Sequence, residues 1–94
     1  MKMRYYRLWY YSKQTLTFVL MKKDKHLIEL GKLIRVKRKE KGFSQEQLAL
    51  KAKVDRSYIG GIERGERNAS FLTLVKIASC LECEVSEFTK GIPK

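Results

Sequence analysis

The stretch DRSYIGGIERGERN, Asp55 to Asn68, sets three arginines (Arg56, Arg64 and Arg67) beside Ser57, Tyr58 and Asn68. A guanidinium carries a planar fork of donors that matches the paired acceptors of guanine or of a phosphate. Hydroxyl and amide side chains complete such a surface. Bond-making chemistry finds little support. Cys80 and Cys83 are spaced C-x-x-C, but a zinc site takes four ligands and the single histidine, His26, is far off in sequence. No nucleophile stands at a recognisable spacing from a base, and GGIERG departs from the phosphate-binding loop pattern. The expectation is a binding protein rather than an enzyme, with no metal and no cofactor.

Charge narrows the partner. Lys and Arg number 21 against 10 Asp and Glu, a formal net charge of +11 over 94 residues. That excess fits a polyanion, either nucleic acid or an anionic membrane surface. With 44% hydrophobic residues the chain has enough apolar material for a packed core and is not disordered by composition. The longest apolar run near the N-terminus, Phe18 to Met21, is far short of the roughly 20 residues that span a bilayer. Two cysteines make no disulfide framework, and no secretory signal is recognisable. A soluble, cytoplasmic protein is expected, with no membrane partner.

Composition changes near Met21. The first twenty residues hold six of the ten aromatics and no acidic residue. RLWYY and TLTFVLM are β-prone, with SKQ between them as a turn, so residues 1–23 read as a basic aromatic extension, β-prone or disordered. Met21 also opens a segment that reads as a natural start. Residues 24–91 read as an all-α domain of five helices.

The elements follow from caps and spacing. Asp24 caps a first helix running to about Lys41, with Leu27, Leu30, Leu33 and Ile34 inward and Gly42 closing it. Ser44 and Gln47 form a capping box that starts a second helix, whose Leu48, Ala49 and Ala52 face the core. Asp55 caps a third helix to about Arg64, with Ile59 and Ile62 inward and Gly65 ending it. Ser70 caps a fourth, with Leu72, Val75 and Ala78 at helical spacing together with Ile77 and Leu81. A short fifth helix around Ser86 to Thr89 packs Phe88 back on the core.

Two short helices joined by a tight turn cross steeply, and Ala49 is small enough to permit that approach. The third helix then projects, with Arg56, Ser57 and Tyr58 on its leading turn, toward a major groove about 12 Å wide. Gly60 and Gly61 each cost roughly 1 kcal/mol relative to alanine in a helix. They are assigned to the exposed side, either to let DNA approach the backbone or as tolerated helix glycines.

SQEQLALKAKVDRSYIGGIERGERN, followed by FLTLVKIASCLECEVSEF, resembles the lambda-repressor-like (Cro/CI, XRE-type) helix-turn-helix domain over roughly Leu27 to Phe88. DRSYIGGIERGERN is especially similar to the controller proteins of restriction–modification systems. The resemblance implies a five-helix fold and a homodimeric transcriptional regulator on a palindromic operator. Arg56 and Ser57 match base-contacting positions, and Tyr58 is placed for a base methyl or a phosphate. Gln45, Arg64, Arg67 and Asn68 match contacts to the DNA backbone. Arg38 and Glu63 match an internal salt bridge. Lys53 and Glu82 stand where the family usually has glycine, so a left-handed non-glycine residue is expected at each turn.

For self-association, apolar surface near the last two helices is expected, namely Leu81, Val85, Phe88 and Ile92. Double-stranded DNA and a second copy are the expected partners, with RNA polymerase or a toxin protein as further candidates. The alternative reading is an antitoxin that autoregulates its operon.

Overall fold

The computed structural model of the protein describes residues 24–94. The extension over residues 1–23, its β-prone hairpin and the start at Met21 therefore lie outside the described residues. From Asp24 onward the chain forms α1 (Lys25–Glu40), α2 (Gln45–Ala52), α3 (Arg56–Glu63) and α4 (Phe71–Cys80), then a 3-10 helix at Val85–Phe88. The fifth element is thus a single tight turn, one residue earlier than the sequence suggested.

Each α-helix begins where an oxygen-bearing side chain satisfies a free amide. Asp24 accepts the His26 N–H at 2.7 Å, and Asp55 accepts the Ser57 N–H at 3.2 Å. Ser44 Oγ accepts the Gln47 N–H at 3.0 Å while Gln47 Oε1 accepts the Ser44 N–H at 2.8 Å, a complete capping box. Ser70 Oγ accepts the Thr73 N–H at 3.1 Å. The short α2 and α3, eight residues each, gain little from helix propensity alone. Packing holds them.

That packing centres on Ile34, Leu48, Ile59, Ile62, Ile77, Leu81 and Phe88, all essentially inaccessible to solvent. In α1, Leu30 and Ile34 are buried while Leu27 and Leu33 are half-buried at the margin. Gly31 matters more than either leucine at the margin. A Cβ at Gly31 would overlap the Ile62 carbonyl oxygen and stand 2.6 Å from that of Glu63. Only a bare Cα lets α1 lie directly on the backbone of α3.

The α4 phase differs from the expected one. Leu72 is 70% exposed and Val75 39% exposed, whereas Thr73, Ile77, Ala78 and Leu81 face inward. FLTLV is apolar on more than one face, so spacing alone does not fix its rotation. Thr73 can be buried because its hydroxyl pairs with Ser70 Oγ at 2.9 Å.

Between α2 and α3 the chain reverses through Lys53, at φ 59° and ψ 46°, and Glu82 adopts φ 55° after α4. Both are left-handed non-glycine residues, costing roughly 1–2 kcal/mol each. The Val54 N–H closes the α2 turn on the Ala49 carbonyl at 3.0 Å.

Candidate nucleic-acid interface

The orientation of α3 is set by a buried ionic knot. Arg38 Nε donates to Glu63 Oε2 at 2.6 Å and Arg38 Nη2 donates to Glu63 Oε1 at 2.9 Å. Arg38 Nη1 donates to the Phe43 carbonyl at 2.7 Å. Gln45 Nε2 adds a third donor to Glu63, reaching Oε1 at 3.0 Å. The Arg38 side chain is 8% exposed and that of Glu63 1%. Burial of two charges is costly, and only such dense hydrogen bonding offsets it. The knot ties the end of α1, the α1–α2 loop and the start of α2 to the last turn of α3.

Gln45 is therefore held inward by its side chain. What α2 offers an anion at this point is its N-terminus, where backbone amides and the helix dipole favour negative charge.

Ile59 and Ile62 of α3 are buried, whereas Arg56 and Ser57 are exposed on its first turn. Helical spacing puts Gly60, Gly61 and Arg64 on the face they share. Gln45 belongs to this face too: its Oε1 lies 3.4 Å from where a Gly60 Cβ would stand, and Arg64 Nη1 lies 3.0 Å from the same point. Arg64 Nε also donates to Glu66 Oε1 at 3.0 Å.

Tyr58 is half-buried at the edge of the core. Its hydroxyl donates to the Asn68 carbonyl at 3.5 Å, and the Arg67 guanidinium sits 5.1 Å from its ring centroid. Gln45 and Arg64 thus meet over Gly60, and Arg67 and the Asn68 backbone meet Tyr58, while Arg56 and Ser57 stand exposed on the leading turn of α3.

Two expectations are corrected. Gly60 and Gly61 are buried rather than open to a partner. The stem of Arg67 lies over Gly61, and the tips of Arg64 and Gln45 lie over Gly60. Long arginine stems cover apolar surface while their heads stay wet, and here they fill the space that two missing side chains leave. Leu81 and Phe88, expected at a dimer contact, have no exposed surface, because the 3-10 helix tucks Phe88 under α1 and α4. Val85 and Ile92 are half-buried against the same core.

Three titratable groups away from α3 are shifted from their ordinary values. The N–H of His26 holds the Asp24 carboxyl below its usual range, and a hydrogen bond to Glu40 raises Lys37. Burial pushes the Cys83 thiol up; Cys80 and Cys83 are free and pack on the core. Among the described residues, no group of three or more His, Cys, Asp or Glu is placed to hold a metal. None of their helices is long and apolar enough to cross a membrane.

The helix-turn-helix family model matches residues 34–88, more than half of the chain. This chain is a helix-turn-helix protein of the Cro/CI (XRE) type. It is 44% identical over 59 residues to the HTH-type transcriptional regulator SlrR of Bacillus subtilis (strain 168), covering 62% of this chain and 39% of SlrR. It is 40% identical over 68 residues to the control protein C.MunI of Mycoplasma sp, covering 71% of this chain and 92% of that one. Among solved structures it is similar to the restriction–modification controller protein C.Esp1396I, captured as a tetramer with its natural 35 base-pair operator. That match has 39% identity and a TM-score of 0.64, over 71% of this chain and 88% of that chain. The helix-turn-helix protein accordingly belongs to a family of DNA-binding transcriptional regulators.

Three features of the interface escaped the sequence reading: the backbone contact at Gly31, the folding of Arg67 onto Tyr58, and the apolar side chains left outside on α4. The first had a visible trace, a glycine inside an otherwise apolar helical stripe. The second depends on where the loop after α3 turns, and the third on the rotation of α4.

Proposed function

We propose that this helix-turn-helix protein is a sequence-specific regulator that binds a palindromic operator as a homodimer, as the controller of a restriction–modification system. One observation carries the reading: Arg56 and Ser57 stand exposed on the leading turn of α3, while Ile59, Ile62 and Glu63 of the same helix are fixed in the core.

In this mechanism α3 enters the major groove and Arg56 donates two hydrogen bonds to a guanine edge, with Ser57 beside it. Tyr58 touches a thymine methyl or a phosphate at the groove wall. The amides at the start of α2, at Gln45, receive one phosphate. Arg64, Arg67 and Asn68 grip the backbone further along. The Arg38–Glu63 pair touches no DNA; it keeps α3 at a fixed angle to α2.

One monomer reads too few bases for high specificity, so a second copy doubles the site. Two α3 helices would enter major grooves about 34 Å apart. Phe71, Leu72 and Val75, which cluster on one side of α4 and are exposed, supply an apolar face for that second copy. Val36 and Leu50 are exposed singly by comparison. The similarity to controller proteins, and the operator-bound assembly of one of them, supports the dimeric reading. RNA polymerase is the further partner that activation would need, and the working compartment is the cytoplasm.

Selection of bound duplexes from a random pool tests the whole reading. A recovered palindrome with a guanine in each half-site is expected. A pool that remains random at moderate salt would overturn it.

A further inference from the structure

The loop after α3 folds back onto the helix it has just left. The Gly61 carbonyl accepts the N–H of Glu66 at 2.8 Å and that of Arg67 at 3.2 Å. The Arg67 side chain then runs along the helix surface. A Cβ at Gly61 would overlap Arg67 Cγ and stand 3.4 Å from both Cβ and Cδ of Arg67. From there the guanidinium reaches the Tyr58 ring, 5.1 Å from its centroid, one turn back toward the leading end of α3. The Tyr58 hydroxyl in turn donates to the Asn68 carbonyl at 3.5 Å, closing the loop on the helix.

Gly60 is different. A Cβ there would stand 3.4 Å from Gln45 Oε1, an ordinary contact, and 3.0 Å from Arg64 Nη1, the far end of an exposed side chain. Gly61 meets the root of a side chain, whose displacement would swing the whole of Arg67.

We propose that Gly61 is a positioning residue for DNA binding: its bare Cα is the slot that seats Arg67 on Tyr58, beside the base-reading turn, before DNA arrives. The ligand is the duplex already assigned to α3, so this inference rests on that functional reading. An arginine ordered in advance loses less freedom on binding than one recruited from solution. The ring holds the cation by its negative face while leaving its N–H groups open toward a phosphate or base edge. Gly61 touches no DNA in this scheme. It acts through Arg67.

The test compares the unaltered chain with Gly61→Ala, Arg67→Ala and the double variant, using a duplex recovered by selection and thermal unfolding as the folding check. Gly61→Ala should still fold cooperatively, with a transition lowered no further than that of Arg67→Ala, and bind the duplex about tenfold more weakly. The double variant should bind no more weakly than Arg67→Ala alone, and Gly60→Ala should lose much less. Binding by Gly61→Ala equal to that of the unaltered chain would overturn the proposal. So would the same loss from Gly61→Ala with and without Arg67.

If Gly61→Ala does not fold, Tyr58→Leu and Arg67→Met form the equivalent cycle. Coupling between them in DNA affinity supports the seat, and strict additivity removes it. An unaltered chain that prefers no duplex would instead defeat the functional reading itself, and this inference with it.

Discussion

Residue chemistry divides sharply between Arg38 and Arg56. Both are arginines on helices near the same face, yet one is buried in three hydrogen-bonded contacts and the other is free to solvent. Their substitution should separate stability from recognition. Glu63→Gln leaves the Arg38 charge buried without a full partner, which typically costs about 3–5 kcal/mol. Chemical unfolding should show that loss, whereas an unchanged unfolding midpoint would mean the knot contributes little. Replacing both Arg38 and Glu63 with apolar residues should recover part of the deficit.

Such a pair is legible in sequence only through family resemblance, because nothing in spacing brings residues 38 and 63 together. Lys53 and Glu82 are a similar case. Their left-handed geometry, φ 59° and φ 55°, was readable because the family resemblance puts glycine at both turns.

At the level of elements, the helices were the most readable part, because each α-helix begins with a capping side chain and most inward positions repeat every three or four residues. Rotation about the helix axis was harder. In α4 apolar residues lie on more than one face, and the buried one includes Thr73, whose hydroxyl pairs with Ser70 Oγ. Leu72 therefore lies outside, where the sequence had placed it inside. Leu81 and Phe88 were also assigned to a dimer contact, although the core takes up both side chains completely.

The revised α4 face carries its own prediction. Leu72→Glu should leave the thermal transition nearly unchanged, as surface substitutions generally do within about 0.5 kcal/mol. It should also shift sedimentation from dimer to monomer. A variant that remains dimeric would place the second copy elsewhere. Gly60 and Gly61 were legible as costly and therefore meaningful, but not as seats for arginines, since the loop that returns Arg67 begins only after the helix ends.

For the whole molecule, a net charge of +11 guarantees attraction to any duplex, so tight binding alone says little about reading. Counterion release makes that attraction fall with salt by a slope of about −0.9 per neutralised phosphate, whatever the base sequence. Specificity is the difference that survives. In the proposed reading it rests on α3, which the ionic knot and Gly31 hold with its leading turn outward. The direct measurement is the affinity of the unaltered chain and of Arg56→Ala for a selected operator and its full set of single-base variants, at one moderate salt concentration. The account predicts that Arg56→Ala costs about 1–3 kcal/mol on the operator and erases discrimination at one position in each half-site, leaving the others intact. Equal weakening on every variant would make Arg56 a phosphate contact and contradict the assignment of α3 as the base-reading helix.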